Sequence, residues 1–221
     1  MKFSGRGQPL PRAGLKKALA LLGLGPNDAA YIWTVVEVET AGVTQGFGFR
    51  SDRRPQILFE RHMFRKYTHG RFDNEAPDVS GPAGGYGLLS EQYVKLEKAL
   101  ALCAQAKLGT EPALKSASWG MGQVMGFNCG AGGYTSCARM VQAMVRSENS
   151  QLACMAGFLK THRLSEKLVN KDWAGFARGY NGPSYSQNRY DTKLAEQYQR
   201  FANGSAPDLE LRTAQVAFLY L

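Results

Sequence analysis

Long apolar runs are missing from this sequence: no stretch approaches the ~20 residues that a membrane-spanning helix needs. Metal-ligand spacing is missing as well. No CxxC pair occurs, and His62, His69 and His162 match no common zinc pattern, so neither a metal nor a cofactor is expected. GxSxG and HExxH are absent, which removes the motifs of serine hydrolases and zinc proteases. Gly120-Met121-Gly122-Gln123-Val124-Met125-Gly126 has the wrong spacing for a dinucleotide loop, lacks a Walker lysine, and follows no evident strand. There is no long Lys/Arg block and no nucleic-acid motif, so nucleic-acid binding as the main role is excluded. No internal repeat is visible. The 25 glycines and 9 prolines are too few for a collagen-like or disordered chain.

What remains is 221 residues, 44% hydrophobic, enough for one domain (1–221) with a real core. The formal charge of +9 and the pI near 9.5 imply an anionic partner, such as an acidic wall polymer or an outer-membrane surface. Lys16-Lys17 before the apolar Ala18–Leu24 resembles a short export signal. However, Leu15, Ala18, Leu19 and Leu22 form a helical stripe closed by Gly23, and no cleavage box follows. An amphipathic first helix without its own signal peptide is expected. Cys103 and Cys154 fall within apolar helical patterns. Cys129 and Cys137 flank a glycine-rich stretch and can bridge if oxidised, but free thiols are the expectation in a chain of this size.

The pattern is mainly helical. Pro26-Asn27-Asp28 starts a second helix through Glu39, and Gly42 stops it. Its β-branched residues would also suit a strand, but they do not alternate. Gln45–Arg50 and Gln56–Glu60 then read as a hairpin around Ser51–Pro55. Asp73–Gly87 is a long loop of the kind that often carries function. Further helices begin at Ser90 as N-cap, near Thr110 (running to about Trp119), at Ser136, around Leu152–Leu159, at Asp172, and across Tyr190–Phe201. A tail, 204–221, follows. The fold class is α+β, predominantly α-helical, with a small hairpin inserted early.

Within this pattern Glu39 is out of place. Ile32, Val35, Val36 and Glu39 share one helical face, the face a helix buries, whereas Glu37 points elsewhere. A carboxyl in a last helical turn, beside apolar side chains and unpaired carbonyls, disfavours ionisation. Its pKa should rise, as a general acid requires. In the hairpin's second strand Leu58 and Glu60 share a face, so Glu60 can look into the same cleft.

Three blocks carry a family resemblance. They are Val38-Glu39-Thr40-Ala41-Gly42 with Arg54-Pro55-Gln56-Ile57-Leu58-Phe59-Glu60-Arg61-His62; Ser116 to Asn128; and Phe176-Ala177-Arg178-Gly179-Tyr180-Asn181-Gly182-Pro183. Together, over about residues 13–201, the chain resembles the N-acetylmuramidase domain of phage endolysins. More distantly it is similar to goose-type lysozymes and lytic transglycosylases. The resemblance implies a lysozyme-like fold and cleavage of the β-1,4 bond between N-acetylmuramic acid and N-acetylglucosamine, for bacterial cell-wall lysis.

It implies Glu39 as general acid and Gln123 lining the cleft with its amide toward sugar groups. Tyr180 and Asn181 would lie opposite, the tyrosine covering a sugar or steadying the Glu39 carboxyl. Glu60 is the first candidate for a second carboxylate and Asp52, in the hairpin turn, the next. The turn Ser51-Asp52-Arg53-Arg54 departs from the Asp-Gly common in the family, and no separate wall-binding module is visible. Affinity for the wall would then rest on the positive charge of a monomer, made in the host bacterial cytoplasm and acting in the periplasm after membrane permeabilisation.

A carboxylate pair ~5 Å apart would mean a nucleophile and retention, and one ~6.5–9.5 Å apart an activated water and inversion. With neither, internal attack would leave an anhydro-muramoyl end, as in a lytic transglycosylase. Two rivals stand outside this class. A zinc amidase would need the histidines as ligands, and a non-catalytic wall-binding protein would leave Glu39 without a task.

Overall fold

The computed structural model describes residues 2–5, 7–40, 48–204 and 206–210. Among the described residues, alongside four short 3₁₀ turns, are ten α-helices and a small sheet: α1 (Arg12–Leu21), α2 (Ala29–Glu39), β1 (Ile57–Phe59), α3 (Arg61–Tyr67), α4 (Gln92–Gln105) and α5 (Glu111–Lys115), then β2 (Ala117–Trp119), β3 (Val124–Met125), α6 (Cys137–Arg146), α7 (Glu148–Thr161), α8 (Leu164–Val169), α9 (Trp173–Asn181) and α10 (Tyr190–Ala202). Among the described residues no helix is long and apolar enough to cross a membrane.

The second helix lies at the centre. Ile32, Val35 and Val36 are buried, and so are Tyr31, Trp33, Thr34 and Val38. It is therefore apolar nearly all round, as a helix enclosed by others must be. The tenth helix packs along it, with Tyr31 and Tyr198 stacked at 4.8 Å between ring centroids. Glu37 is the exception expected of it: its carboxylate faces outward and pairs with Arg200 at 3.1 Å. The expected stop at Gly42 and the residues 45–47 of the expected first strand lie outside the described residues, as does most of the tail. The helix itself ends at Glu39, with Thr40 turning its hydroxyl back to the Val36 carbonyl at 2.7 Å.

The hairpin is present but brief. Phe49 bridges Pro55, and the Gln56 amide donates to the Gly48 carbonyl at 2.9 Å. Its second arm continues into a three-stranded antiparallel sheet in the order β1-β2-β3. Ile57 pairs with Trp119 and Phe59 with Ala117, which fixes the central register. Here the sequence reading needs correcting. The helix expected from Thr110 to Trp119 stops at Lys115, and Ala117–Trp119 is the middle strand. A strand thus does precede the glycine-rich Gly120–Gly126 stretch.

These glycines permit close packing. Gly120 adopts φ +69°, and a methyl group on Gly122 would come within 2.6 Å of Met155 on α7. Ser136 and Asp172 cap α6 and α9 as expected, accepting from Arg139 and Gly175 amides. Ser90 does not cap α4; it sits inside a short 3₁₀ turn, Leu89–Glu91.

Two buried polar residues on α7 hold the remaining chain to this core. The Glu148 carboxylate accepts from the Leu10 amide at 2.9 Å and the Gly48 amide at 3.3 Å. Gln151 accepts from the Met121 amide and donates to the Met144 carbonyl. Each satisfies a backbone group that would otherwise be buried unpaired, at a cost of ~1–3 kcal/mol. All four cysteines are free thiols.

Candidate active site

Glu39 is the last residue of the central helix, half-buried, with its carboxyl crowded by protein. Burial pushes its pKa from an ordinary 4.5 up to about 7, against a hydrogen bond from Asn181 that pulls the other way. That bond, Asn181 Nδ2 to Glu39 Oε1, is 2.9 Å long. Asn181 is delivered by the end of α9, where Gly182 takes φ +90° and turns the chain away. The result is a carboxyl that still holds its proton near neutrality, with one oxygen fixed by an amide.

Tyr180, one residue earlier, is placed differently from Asn181. Its ring is stacked on Phe176 at 5.3 Å and meets Phe158 edge-on at 5.3 Å. Its hydroxyl donates to the Gly122 carbonyl. Burial, with the Glu39 charge nearby, holds the phenol well above its ordinary pKa. Tyr180 therefore ties α9 to the Gly120–Gly126 turn beside Glu39, and its hydroxyl proton goes to backbone.

Gln123 is similarly engaged. Its amide oxygen accepts from the Ser118 hydroxyl at 2.7 Å, and its NH₂ donates to the carbonyls of Gly120 at 2.7 Å and Gln56 at 3.3 Å. Both amide protons are thereby used within the protein, leaving one acceptor position on the oxygen. Gln123 braces the sheet beneath the cleft, where the resemblance implied a sugar contact.

Glu60 follows β1 directly and precedes α3; its amide donates to the Ser116 carbonyl of the neighbouring segment. Its Oε2 lies 3.1 Å from His62 Nδ1, yet the pair is too poorly aligned for a hydrogen bond, and both atoms are buried without a partner. Burial, together with the nearby Glu60 carboxylate, raises the pKa of the Tyr86 phenol. Gln92 sets this geometry. It accepts from the Phe59 amide at 2.8 Å and donates to the carbonyls of Tyr86 and Leu88, which pins the loop against β1.

Glu39 and Glu60 both act on a residue that sequence reasoning did not single out. Tyr190, in the first turn of α10, has its pKa raised by burial and then by the charges of both Glu39 and Glu60. Both carboxylates thus act on the Tyr190 phenol electrostatically. Read along the sequence, Tyr190 continues a core stripe with Leu194 and Phe201. Tyr86 lies in the loop marked as functional, and its aromatic ring in a Gly/Pro-rich stretch was the available signal.

Asp52 joins none of these. Burial alone would raise its pKa, but hydrogen bonds from Arg54, with Arg54 and Arg50 charges, lower it overall. Arg54 lies 2.8 Å from its carboxylate and 3.5 Å from Glu97. Asp52 thus belongs to a surface ion cluster over Tyr93, with the Arg54 guanidinium 4.0 Å from that ring. Among the described residues no group of three or more His, Cys, Asp or Glu is placed to hold a metal ion.

The sequence model of the N-acetylmuramidase family matches residues 28–202, a span that contains Glu39, Glu60, Tyr86, Gln123, Asn181 and Tyr190. The crystal structure of the Burkholderia AP3 phage endolysin aligns with a TM-score of 0.71 and 34% sequence identity, covering 90% of this chain and 73% of that one. No curated protein matches the chain.

Proposed function

This chain belongs to the N-acetylmuramidase family, a family of peptidoglycan-cleaving enzymes, and from that premise we propose that Glu39 is its general acid. The reaction is cleavage of the β-1,4 bond from N-acetylmuramic acid to N-acetylglucosamine. The observation that carries this is the half-buried Glu39 carboxyl, protonated up to about pH 7 and held by Asn181. A glycosidic oxygen is a poor leaving group until protonated, so an acid with a pKa near the working pH contributes most. Glu39 gives its proton to the bridging oxygen as the sugar ring develops oxocarbenium character. Asn181 stabilises the carboxylate that this leaves.

Glu60 supplies the second carboxylate, and the charges of Glu39 and Glu60 both act on the phenol of Tyr190. Negative charge there favours the positive charge developing on the ring. Asp52, neutralised by arginines, serves the hairpin. The likeness to an endolysin supports a role in opening the bacterial wall, with the net charge of +9 drawing the protein to an anionic surface.

The test is digestion of purified peptidoglycan by the parent, Glu39→Gln and Glu60→Gln, with products identified by mass spectrometry. Reducing muramic-acid ends from the parent and none from Glu39→Gln are expected. Anhydro-muramoyl ends would sink the hydrolase reading in favour of a transglycosylase. Equal lysis by Glu39→Gln would remove Glu39 from the mechanism.

A further inference from the structure

The Glu60 wall adjoins a second concavity. An open pocket of about 510 Å³ is lined by His62, Arg65, Lys66 and His69, from α3 and the turn after it, and by the 81–83 stretch that leads to Tyr86. The volume suits a small ligand or a short peptide segment. Its ionisable lining is entirely of basic types. Arg65 is shared, its Nε donating to Asp73 at 2.7 Å. Lys66 makes no ion pair among the described residues; its ammonium stands 6.0 Å from the Tyr67 ring. The pocket is also built in advance of any ligand. Arg61 staples its two walls together, donating to the carbonyls of Pro82 at 2.7 Å and Pro77 at 3.2 Å. His62 divides the pocket from the cleft, since the ring that lines one lies 3.1 Å from Glu60 in the other.

A preformed basic pocket in which Lys66 has no ion-pair partner among the described residues favours a carboxylate, and this enzyme's polymer offers one at regular intervals. Each muramic acid carries a short peptide, and these stems bear free carboxylates. An extended stem advances ~3.5 Å per residue, so two or three residues cross the thickness of one imidazole side chain. We propose that this pocket is a subsite for the stem peptide of the substrate, with Lys66 taking a stem carboxylate. Arg65 and His69 flank it. The proposal rests on the muramidase reading above and adds to it a preference for stem-bearing glycan.

Three defined glycan oligomers test it: one with free-carboxylate stems, one with the same stems amidated, and one stripped of stems. At low ionic strength, where an exposed charge is least screened, the parent should cleave the first about fivefold more efficiently than the other two, mainly through KM. Lys66→Gln should bring the three substrates to one value, and Lys66→Glu should invert the order. Melting curves like the parent's would show that both variants fold. Equal kcat/KM on all three substrates for the parent would overturn the proposal, as would Lys66→Gln keeping the parent's preference. In either case normal muramic-acid products from the stripped oligomer would leave the muramidase reading intact. Failure on every substrate would overturn that reading and the subsite with it.

Discussion

Replacing Glu39 by glutamine should make the protein inactive and, above neutrality, more stable. In the unfolded chain the carboxyl ionises near its ordinary 4.5; in the folded protein it ionises near 7, chiefly because of burial. Between these values the folded state holds the additional proton, so the stability of the parent falls as pH rises through that window. Once both states are ionised the penalty is constant. The interval from 4.5 to about 7, at ~1.36 kcal/mol per pH unit, corresponds to about 3 kcal/mol. Glutamine keeps the shape and can still accept from Asn181, but it never carries the charge. Urea denaturation of parent and variant at a series of pH values isolates this term, because the other titrating groups are common to both. The difference should be near zero at pH 4, grow through pH 5 to 7, and level at about 3 kcal/mol at pH 8. In melting temperature that is ~6–12 °C for a chain of this length. A variant no more stable than the parent at pH 8, or a difference that already exists at pH 4, would refute a desolvated Glu39.

Three further outcomes follow from the same geometry. Asn181→Ala removes a hydrogen bond that favours the charged form, so the alkaline limb of the activity profile should move upward by roughly one pH unit. A limb that moves downward would show that Asn181 does something else. Tyr190→Phe keeps the ring but loses the phenol on which both carboxylates act; kcat should fall on the order of tenfold with stability changed by under ~0.5 kcal/mol. Gln123→Ala breaks three hydrogen bonds around β2 and the following turn and should cost about 2 kcal/mol in urea denaturation. An unchanged midpoint with a raised KM would return Gln123 to sugar binding.

The parts of this fold written locally were legible. Ser136 and Asp172 cap their helices because a hydroxyl or carboxylate there meets an amide three residues on, a rule contained within four residues. Glu39 stood out because periodicity places it on an apolar face. The middle strand was invisible for the opposite reason. Ala117–Trp119 is three residues long, and its pairing with Ile57–Phe59 is a contact across some sixty residues that no window reveals. Ser90 fails as a cap because the chain enters α4 through a 3₁₀ turn. Within the site, residue types were readable but hydrogen-bond directions were not. Gln123 and Tyr180 have the chemistry to touch a sugar, yet their donors are consumed by the carbonyls of Gly120, Gln56 and Gly122. Tyr190 looked like core because helix periodicity cannot tell a ring packed inward from one whose hydroxyl reaches a cleft.

The hydrogen bond from Asn181 to Glu39 also sets a clock. Its partners are 142 positions apart in the chain. At a synthesis rate of ~5–20 residues per second, about 7–28 s separate the emergence of the acid from that of its amide. The buried Glu148 is similarly late, arriving 138 residues after the Leu10 amide it accepts from. A nascent chain therefore carries the acid long before it can orient it. The pairing of Glu39 with Asn181 thus forms only once α9 has been made, and a chain that stops before α9 lacks the amide that fixes the acid.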